Sequence, residues 1–551
     1  MSKRKSDQLE DDDSCSTSQR PRQVRKMGSA PVTTNIELSS QEARLKKLLL
    51  DVAEYIDRSQ PSSAEPIVLR WAGGWVRDKL LGIGSHDIDT AINTMTGEAF
   101  SSKIVELCKQ PETVEKHALS DTDIGNLHKI AANPDKSKHL ETTTIKLLGF
   151  DVDFVNLRKE TYTQDSRNPQ VEFGTAEEDA LRRDATINAL FYNLNTGRVE
   201  DFTGGLADMD AKLIRTPLEP LQTFTDDPLR VLRLIRFASR LDFVIDPEVE
   251  AVMRDERVLS ALRNRQKISR ERVGVEVEKM FQGNHPRNAL KKIHSLGLYH
   301  TVFTDPNKPD MPQPNVRNLA VAYDCLESLR QRKTPGSIYD VLVRSDESSY
   351  FSWVLAALTP WMSIAQPAHI GPTKPPPPFA TLAAREGIKA PNKMCDAITG
   401  SYNHREEIMS LKVAVSENAE HVHERDRFGL AIRRWEARGG QWKLQVLSAL
   451  LHDALQTLQP GDTASRDTAF VAGWQKFLDH LHELDVMEAP SLKRIIDGKQ
   501  LSKALGARPG IWMTAALDVC VAWQLRNPDI TDPTGAIEEV RSKKEELGIP
   551  I

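Results

Sequence analysis

Between Ile67 and Val155 the apolar residues of this chain come in short, β-branched runs separated by turns, and beyond about Asp201 that pattern gives way to helical periodicity. Ile67-Val68-Leu69 leads into Gly73-Gly74, and Asp87-Ile88-Asp89 follows. Thr142-Thr143-Thr144-Ile145-Lys146-Leu147-Leu148 then meets Asp151-Val152-Asp153-Phe154-Val155 across a turn at Gly149, which predicts a hairpin. Stretches 228–241, 269–282 and 443–457 repeat apolar residues at helical spacing. The order of these patterns predicts an α+β chain, with a mixed sheet first and a mostly helical remainder. At 551 residues it should divide into about three or four units, from a prior of roughly 100–200 residues each.

Composition narrows the function classes. With 39% hydrophobic and 27% charged residues and no apolar run near the roughly 20 residues a spanning helix needs, a membrane protein is not expected. The protein should be soluble and intracellular. Five cysteines, at 15, 108, 325, 395 and 520, form no CxxC pair and no zinc spacing, which suits a reducing compartment. A net charge of −5 gives no global signal for nucleic acid, so any such contact must use local basic surface. Residues 1–35 are polar and mixed in charge, and an N-terminal extension over 1–40 is expected to be disordered. Lys3-Arg4-Lys5 reads equally as a nuclear address or a solvated tail. The triplet Asp11-Asp12-Asp13 counts against a mitochondrial leader starting at Met1, an objection that a start at Met27 removes.

The first chemical constellation is Gly73-Gly74-Trp75-Val76-Arg77-Asp78, followed by Asp87-Ile88-Asp89. Paired glycines after a strand let the backbone approach phosphate oxygens, with Gly74 in contact and Arg77 adding positive charge. Residues two apart on a strand share a face, so Asp87 and Asp89 present two carboxylates together while Ile88 turns inward. Two hard anionic ligands on a rigid element suit Mg²⁺ shared with a triphosphate. Either part alone reads more readily as a plain turn or a solvated strand end; the combined spacing is what points to a nucleotide site.

These residues resemble the nucleotidyltransferase superfamily of DNA polymerase β, and within it the class II tRNA CCA-adding enzymes and related bacterial poly(A) polymerases. The resemblance implies a catalytic head over 41–200, a helical neck over 201–290, and a helical body and tail over 291–551 that binds tRNA, with a proline-rich insertion near 366–378. It implies a third acid on a neighbouring strand, which falls on Asp153 within Gly149-Phe150-Asp151-Val152-Asp153. It also implies that Leu181-Arg182-Arg183-Asp184-Ala185-Thr186-Ile187-Asn188, read as the opening of a helix, holds the nucleotide. Arg183 would meet phosphate oxygens and Asp184 the ribose hydroxyls.

In Asp226-Asp227-Pro228-Leu229-Arg230-Val231-Leu232-Arg233-Leu234-Ile235-Arg236, an acid followed by proline predicts a helix start, and three arginines at every third position make a basic stripe. The segment is similar to the family's Glu-Asp-x-x-Arg motif, with Asp226 in place of the first acid. By that resemblance Asp227 and Arg230 read the incoming base, and Arg233 and Arg236 serve the triphosphate. The chemistry follows from the two side chains: cytosine and adenine both offer an amino donor beside a ring-nitrogen acceptor, matching a carboxylate and a guanidinium. Uracil and guanine put a carbonyl oxygen against the carboxylate, leaving unmatched acceptors.

Ser269–Met280 resembles the helix that supports this one, and Ala131–His139 either a mobile loop used during A addition or an idle surface loop. Arg330-Gln331-Arg332-Lys333 and Arg433-Arg434-Trp435 are candidates for phosphate contacts. The resemblance therefore implies a CCA tRNA nucleotidyltransferase that takes CTP and ATP, uses two Mg²⁺ ions and releases pyrophosphate, with tRNA as its partner and no obligate protein partner. Cytoplasm, nucleus and mitochondrion are all compatible with it. The alternatives are a poly(A) polymerase of the same group and a non-catalytic RNA-binding protein on this scaffold.

Overall fold

The computed structural model describes residues 36–85, 87–120, 122–130, 142–163, 166–305, 307–308, 310–366, 375–459 and 464–550. Residues 1–35, the loop Ala131–His139 and the first half of the proline-rich run, Gly371–Lys374, lie outside them. Ser40, counted in the N-terminal extension, is already the first residue of helix α1 (Ser40–Ser59). A capping box starts that helix: Ser39 Oγ accepts from the Glu42 amide at 3.2 Å and Glu42 accepts from the Ser39 amide at 2.7 Å.

The head is built on one sheet. Its strands are β1 (Leu69–Ala72), β2 (Asp87–Ile92), β3 (Ile124–Ile130), β4 (Thr142–Leu147) and β5 (Phe150–Asn156), and, after a separate hairpin of β6 (Arg158–Thr163) and β7 (Ser166–Phe173), β8 (Phe191–Asn193) and β9 (Arg198–Glu200). The order is β3-β4-β5-β2-β1-β8-β9. Every neighbouring pair is antiparallel except β2 with β5, which run parallel, and β4 and β5 form the expected hairpin. Helices α2 (Gly74–Leu80), α3 (Gly97–Leu107), α4 (Pro111–His117) and α5 (Ala176–Leu181) connect the strands. Trp71, Trp75 and Tyr192 pack ring against ring in the core below β1, with Trp71 fully buried. A Cβ on Gly97 would sit 2.2 Å from the Phe154 carbonyl oxygen, so only glycine lets α3 start this close to β5.

One sequence expectation is corrected here. Leu181-Arg182-Arg183-Asp184 does not open a helix; it follows one. Thr175 and Glu178 form a capping box that starts α5 at Ala176, and the helix ends at Leu181. Residues 182–189 then make a tight turn with a 3₁₀ segment at Thr186–Asn188, and the Arg183 amide bonds back to the Ala180 carbonyl at 3.2 Å.

The chain then becomes helical. Helices α6 (Gly205–Asp210), α7 (Pro220–Asp226), α8 (Leu229–Leu241), α9 (Pro247–Met253), α10 (Glu256–Arg263), α11 (Arg270–Phe281), α12 (Pro286–Ser295) and α13 (Tyr299–Val302) fall in the stretches expected as neck and start of the body. A short parallel pair, β10 (Leu213–Ile214) with β11 (Val244–Ile245), lies within this region, where the fading strand signal gave no sign of one. The buried Ile214 and Ile245 face each other there. A continuous apolar core runs from α1 through the neck to Leu525, and a second cluster around Trp512 occupies residues 496–549. Pro375–Pro378 is extended, and after it a helical turn at Phe379–Leu382 passes into a π-helical turn at Ala383–Gly387.

Candidate active site

Strand β2 ends the search for the carboxylates. Asp87 and Asp89 are exposed while Ile88 between them is buried, as strand alternation requires. The parallel register sets Asp89 opposite Asp153 on β5, so the third acid stands beside the first two. Thr144 on β4, the cross-strand partner of Asp153, donates its hydroxyl to Asp153 Oδ1 at 2.5 Å and orients it. Asp89 is held above the ordinary carboxylate range. Loss of solvent around the carboxyl is the main cause; Arg183 opposes it, and the neighbouring charges of Asp153, Asp87 and Asp179 add to it.

Carboxylates that repel one another on one sheet face are a place for a cation. Among the described residues no three His, Cys, Asp or Glu side chains converge closely enough to hold a metal alone. The donor set is nonetheless all oxygen and anionic, which fits a hard divalent ion whose remaining ligands come from a triphosphate.

Beside the acids stand the turn after β1 and the turn after α5. Gly73 has φ of +65°, and a Cβ there would lie 2.7 Å from Arg183 Nη1. The need for glycine thus falls on Gly73; Gly74, the expected contact, has only ordinary clearance, 3.7 Å to Arg77 Nη2. Arg183 lies across Gly73, stacks on Phe191 at 4.9 Å, and donates to Asp179 Oδ2 at 2.9 Å and to the Asn188 carbonyl at 3.0 Å. Asp179 is almost fully buried and takes a second guanidinium, from Arg182, at 2.5 Å. Burial works to raise its pKa, and the two arginines bring it below the usual range.

Arg77 was expected at the phosphates, but it is only 3% exposed and bonds Asp78 at 2.6 Å and Asn188 Oδ1 at 2.5 Å. It fastens α2 to the 186–188 turn instead. Arg240 on α8 completes this cluster through Asp78 Oδ2 at 2.9 Å.

Asp184 is likewise buried. It accepts from Asn188 Nδ2 at 3.1 Å and from Arg233 Nε at 2.5 Å. Burial pushes its pKa up, but Arg233 and these hydrogen bonds prevail and hold it at about 2. Its carboxylate therefore ties the head to α8.

Helix α8 starts as the sequence indicates. The Leu229 amide donates to Asp227 Oδ1 at 3.1 Å, and Pro228 supplies the first turn with φ of −60°. Asp227 and Arg230 stand one turn apart, with Arg230 buried and donating to the Arg182 carbonyl at 2.8 Å. Arg233 and Arg236 continue the stripe and converge on Glu276 of α11, at 3.9 and 2.6 Å. Arg272, also on α11, grips Asp227 Oδ2 at 3.0 Å. Helix α11 thus supports α8, as its sequence implied.

Asp179 has no role in the sequence reading, and Asn188, Arg272 and Glu276 enter it only as members of their segments. Only Asp179 left a local trace, three and four residues before the arginines it pairs with.

Two family models match the chain. Residues 69–215 match the Poly A polymerase head domain, and residues 242–309 match a probable RNA and SrmB-binding site of polymerase A. Among curated proteins the chain is 53% identical to the nucleotidyltransferase lcsQ of Purpureocillium lilacinum, over 94% of this chain and 93% of that one. It is 38% identical to the mitochondrial CCA tRNA nucleotidyltransferase of Saccharomyces cerevisiae, over 90% and 92% of the two chains. It is 37% identical to the tRNA nucleotidyltransferase cca1 of Schizosaccharomyces pombe, over 90% and 95%. In fold it is similar to a CCA-adding enzyme solved without ligand, with a TM-score of 0.61 at 18% identity over 92% of this chain and 96% of that one. The Thermotoga maritima CCA-adding enzyme complexed with tRNA aligns with a TM-score of 0.58 at 18% identity, over 93% and 100%.

Proposed function

This chain belongs to the family of CCA tRNA nucleotidyltransferases, and from that premise we propose that it adds C, C and A to the 3′ ends of tRNAs from CTP and ATP, without a template. One observation carries the reading: the face bearing Asp87, Asp89 and Asp153 and the helix bearing Asp227 and Arg230 are stitched together through the 182–188 turn, by Arg233 to Asp184 and Arg230 to the Arg182 carbonyl. Reaction centre and base-selecting pair are thus one rigid unit.

The family's chemistry depends on a metal; here Asp87 and Asp89, with Asp153 beside them, would hold two Mg²⁺ ions, which when bound favour the deprotonated 3′-hydroxyl and neutralise charge at the α-phosphate. Arg183, pre-oriented by Asp179, and Arg233 at the cleft wall offer charge to the triphosphate. Asp184, already paired with Arg233 and Asn188, acts as the anchor of that wall. Asp227 accepts from the exocyclic amine of C or A, and Arg230 donates to the ring nitrogen; U and G leave the carboxylate facing an oxygen.

Several of the sequence candidates for RNA contact already have partners within the chain. Arg330 pairs with Glu327 at 2.9 Å, Arg433 donates to the carbonyls of Ala489 and Leu492, and Arg434 pairs with Glu407. The exposed Lys493, Arg494, Lys499, Lys503 and Arg508, interrupted by one acid, Asp497, make the better phosphate-contacting surface. No helix among the described residues is long and apolar enough to cross a membrane. The name of the Saccharomyces cerevisiae relative supports a mitochondrial share of the activity.

The test is extension of tRNA lacking its 3′ end, with each nucleotide alone and together. Addition of C, C, A and then arrest is expected, together with loss of activity in Asp87→Ala. A long A tail without C is the outcome of a poly(A) polymerase and sinks the proposal.

A further inference from the structure

Helix α11 has two working faces, and only one of them touches the nucleotide-selecting site. Residues four apart share a helix face, whereas a step of two turns roughly 200°. Arg272 and Glu276 therefore lie together toward α8, where they hold Asp227, Arg233 and Arg236. Arg270 and Gly274 lie together on the opposite side, toward the body.

On that side the fit is unusually exact in its chemistry. The guanidinium of Arg270 is fully buried and, among the described residues, forms no ion pair with a carboxylate; it donates to three main-chain carbonyls, Gly387 at 2.7 Å, Thr301 at 3.0 Å and Val302 at 2.5 Å. Two of these belong to the last turn of α13 and the third to the end of the π-helical turn Ala383–Gly387. Such carbonyls lack intrahelical partners and carry the negative end of the helix dipole, so one guanidinium satisfies two helix ends at once. One turn further along α11, a Cβ on Gly274 would fall 2.0 Å from the Ile388 carbonyl oxygen. That atom is backbone and cannot rotate away. The three donors fix α11 along its axis, and the glycine contact fixes its distance from the body.

We propose that Arg270 and Gly274 are specificity-positioning residues, which set α11 on the body so that Arg272 meets the Asp227 carboxylate in the one orientation that selects C and A. Neither residue touches nucleotide. Through them the body, where the tRNA is expected to lie, and the base-selecting pair share one strut. The inference rests on the reading of Asp227 and Arg230 as the base-selecting pair.

Arg270→Met removes the donors while keeping most of the stem, and Gly274→Ala adds one methyl. Both are compared with Asp227→Ala by measuring kcat/KM for CTP and UTP on the same tRNA, alongside thermal unfolding. Each of the two should lower the CTP-to-UTP ratio by about ten- to a hundredfold, the scale of an ångström-level misplacement. Adding Arg272→Met to either should lower it little further, because the effects run through one contact. Arg270→Lys, which keeps the charge with fewer directed donors, should restore part of the ratio. If Arg270→Met fails to accumulate folded, Gly274→Ala and Arg270→Lys carry the test. A lower melting temperature with an unchanged ratio in these variants, while Asp227→Ala changes it, overturns the inference alone. An unchanged ratio in Asp227→Ala overturns the base-selection reading and the inference with it.

Discussion

Replacing Asp89 by asparagine should abolish activity and yet make the metal-free protein more stable. Neighbouring strands lie about 4.8 Å apart, so the paired carboxylates of Asp89 and Asp153 stand on the order of 5 Å from each other. At that spacing two unit charges repel by about 1 kcal/mol in water and about 3 kcal/mol at an effective dielectric of 20. Asp89 opens to solvent and Arg183 offsets part of the repulsion, so the lower figure governs. Asp89→Asn should gain about 1 kcal/mol, or an upward shift of roughly 2 °C in melting temperature.

The sign with pH follows from the direction of the shift. A carboxyl held above its ordinary range destabilises the native state at neutral pH and ceases to do so once pH falls below the unfolded value. The advantage of the variant should therefore be full at pH 7, smaller at pH 4 and gone below the unfolded value. Mg²⁺ should invert it, because binding stabilises only a protein that can bind. Thermal unfolding with and without Mg²⁺, at pH 7 and pH 4, reads all of this. A variant less stable than the parent without metal, or Mg²⁺ raising both melting temperatures equally, refutes the reasoning.

Two further outcomes follow from the same cleft. Asp184 has its folded pKa depressed to about 2, so its contribution is present above the ordinary carboxylate range and is lost as pH falls through 2; Asp184→Asn should cost about 2 kcal/mol at pH 7 and about half that at pH 3, measured by urea denaturation. Gly73→Ala meets both a φ of +65° and the Arg183 guanidinium, so it should raise KM for CTP and ATP alike by about tenfold while leaving the choice between CTP and UTP unchanged in steady-state assays.

What could be read from the sequence was what neighbours decide. Asp87 and Asp89 announce themselves because strand alternation is local, and Asp227 and Arg230 because a helix start and a one-turn spacing are local. The partners that give these residues their roles are distant in the chain: Arg272 lies 45 residues from Asp227, and Arg233 lies 49 from Asp184. Arg77 shows the cost of that blindness. Its place after Gly-Gly suggests phosphate, but Asn188, 111 residues away, turns it inward. The misplaced helix at Arg182 was different in kind, since the Thr175–Glu178 capping box was readable and outweighs the apolar spacing of Ile187 and Leu190. At the basic clusters 330–333 and 433–434, charge in the sequence does not reveal that Glu327 already pairs with Arg330 and that the Ala489 carbonyl already accepts from Arg433.

The parallel pairing of β2 with β5 also governs when the protein becomes chemically competent. During synthesis Asp87 and Asp89 leave the ribosome well before Asp153, and α8 and α11 emerge later still. The acid triad does not exist until the sheet closes across that gap, and the arginines that face it are not aligned until the neck has docked. A polymerising enzyme without a template has no external check on what it adds. Here the order of manufacture supplies one: on the proposed reading, a chain stopped before β5 lacks the third acid and a chain stopped before α8 lacks the base-selecting pair.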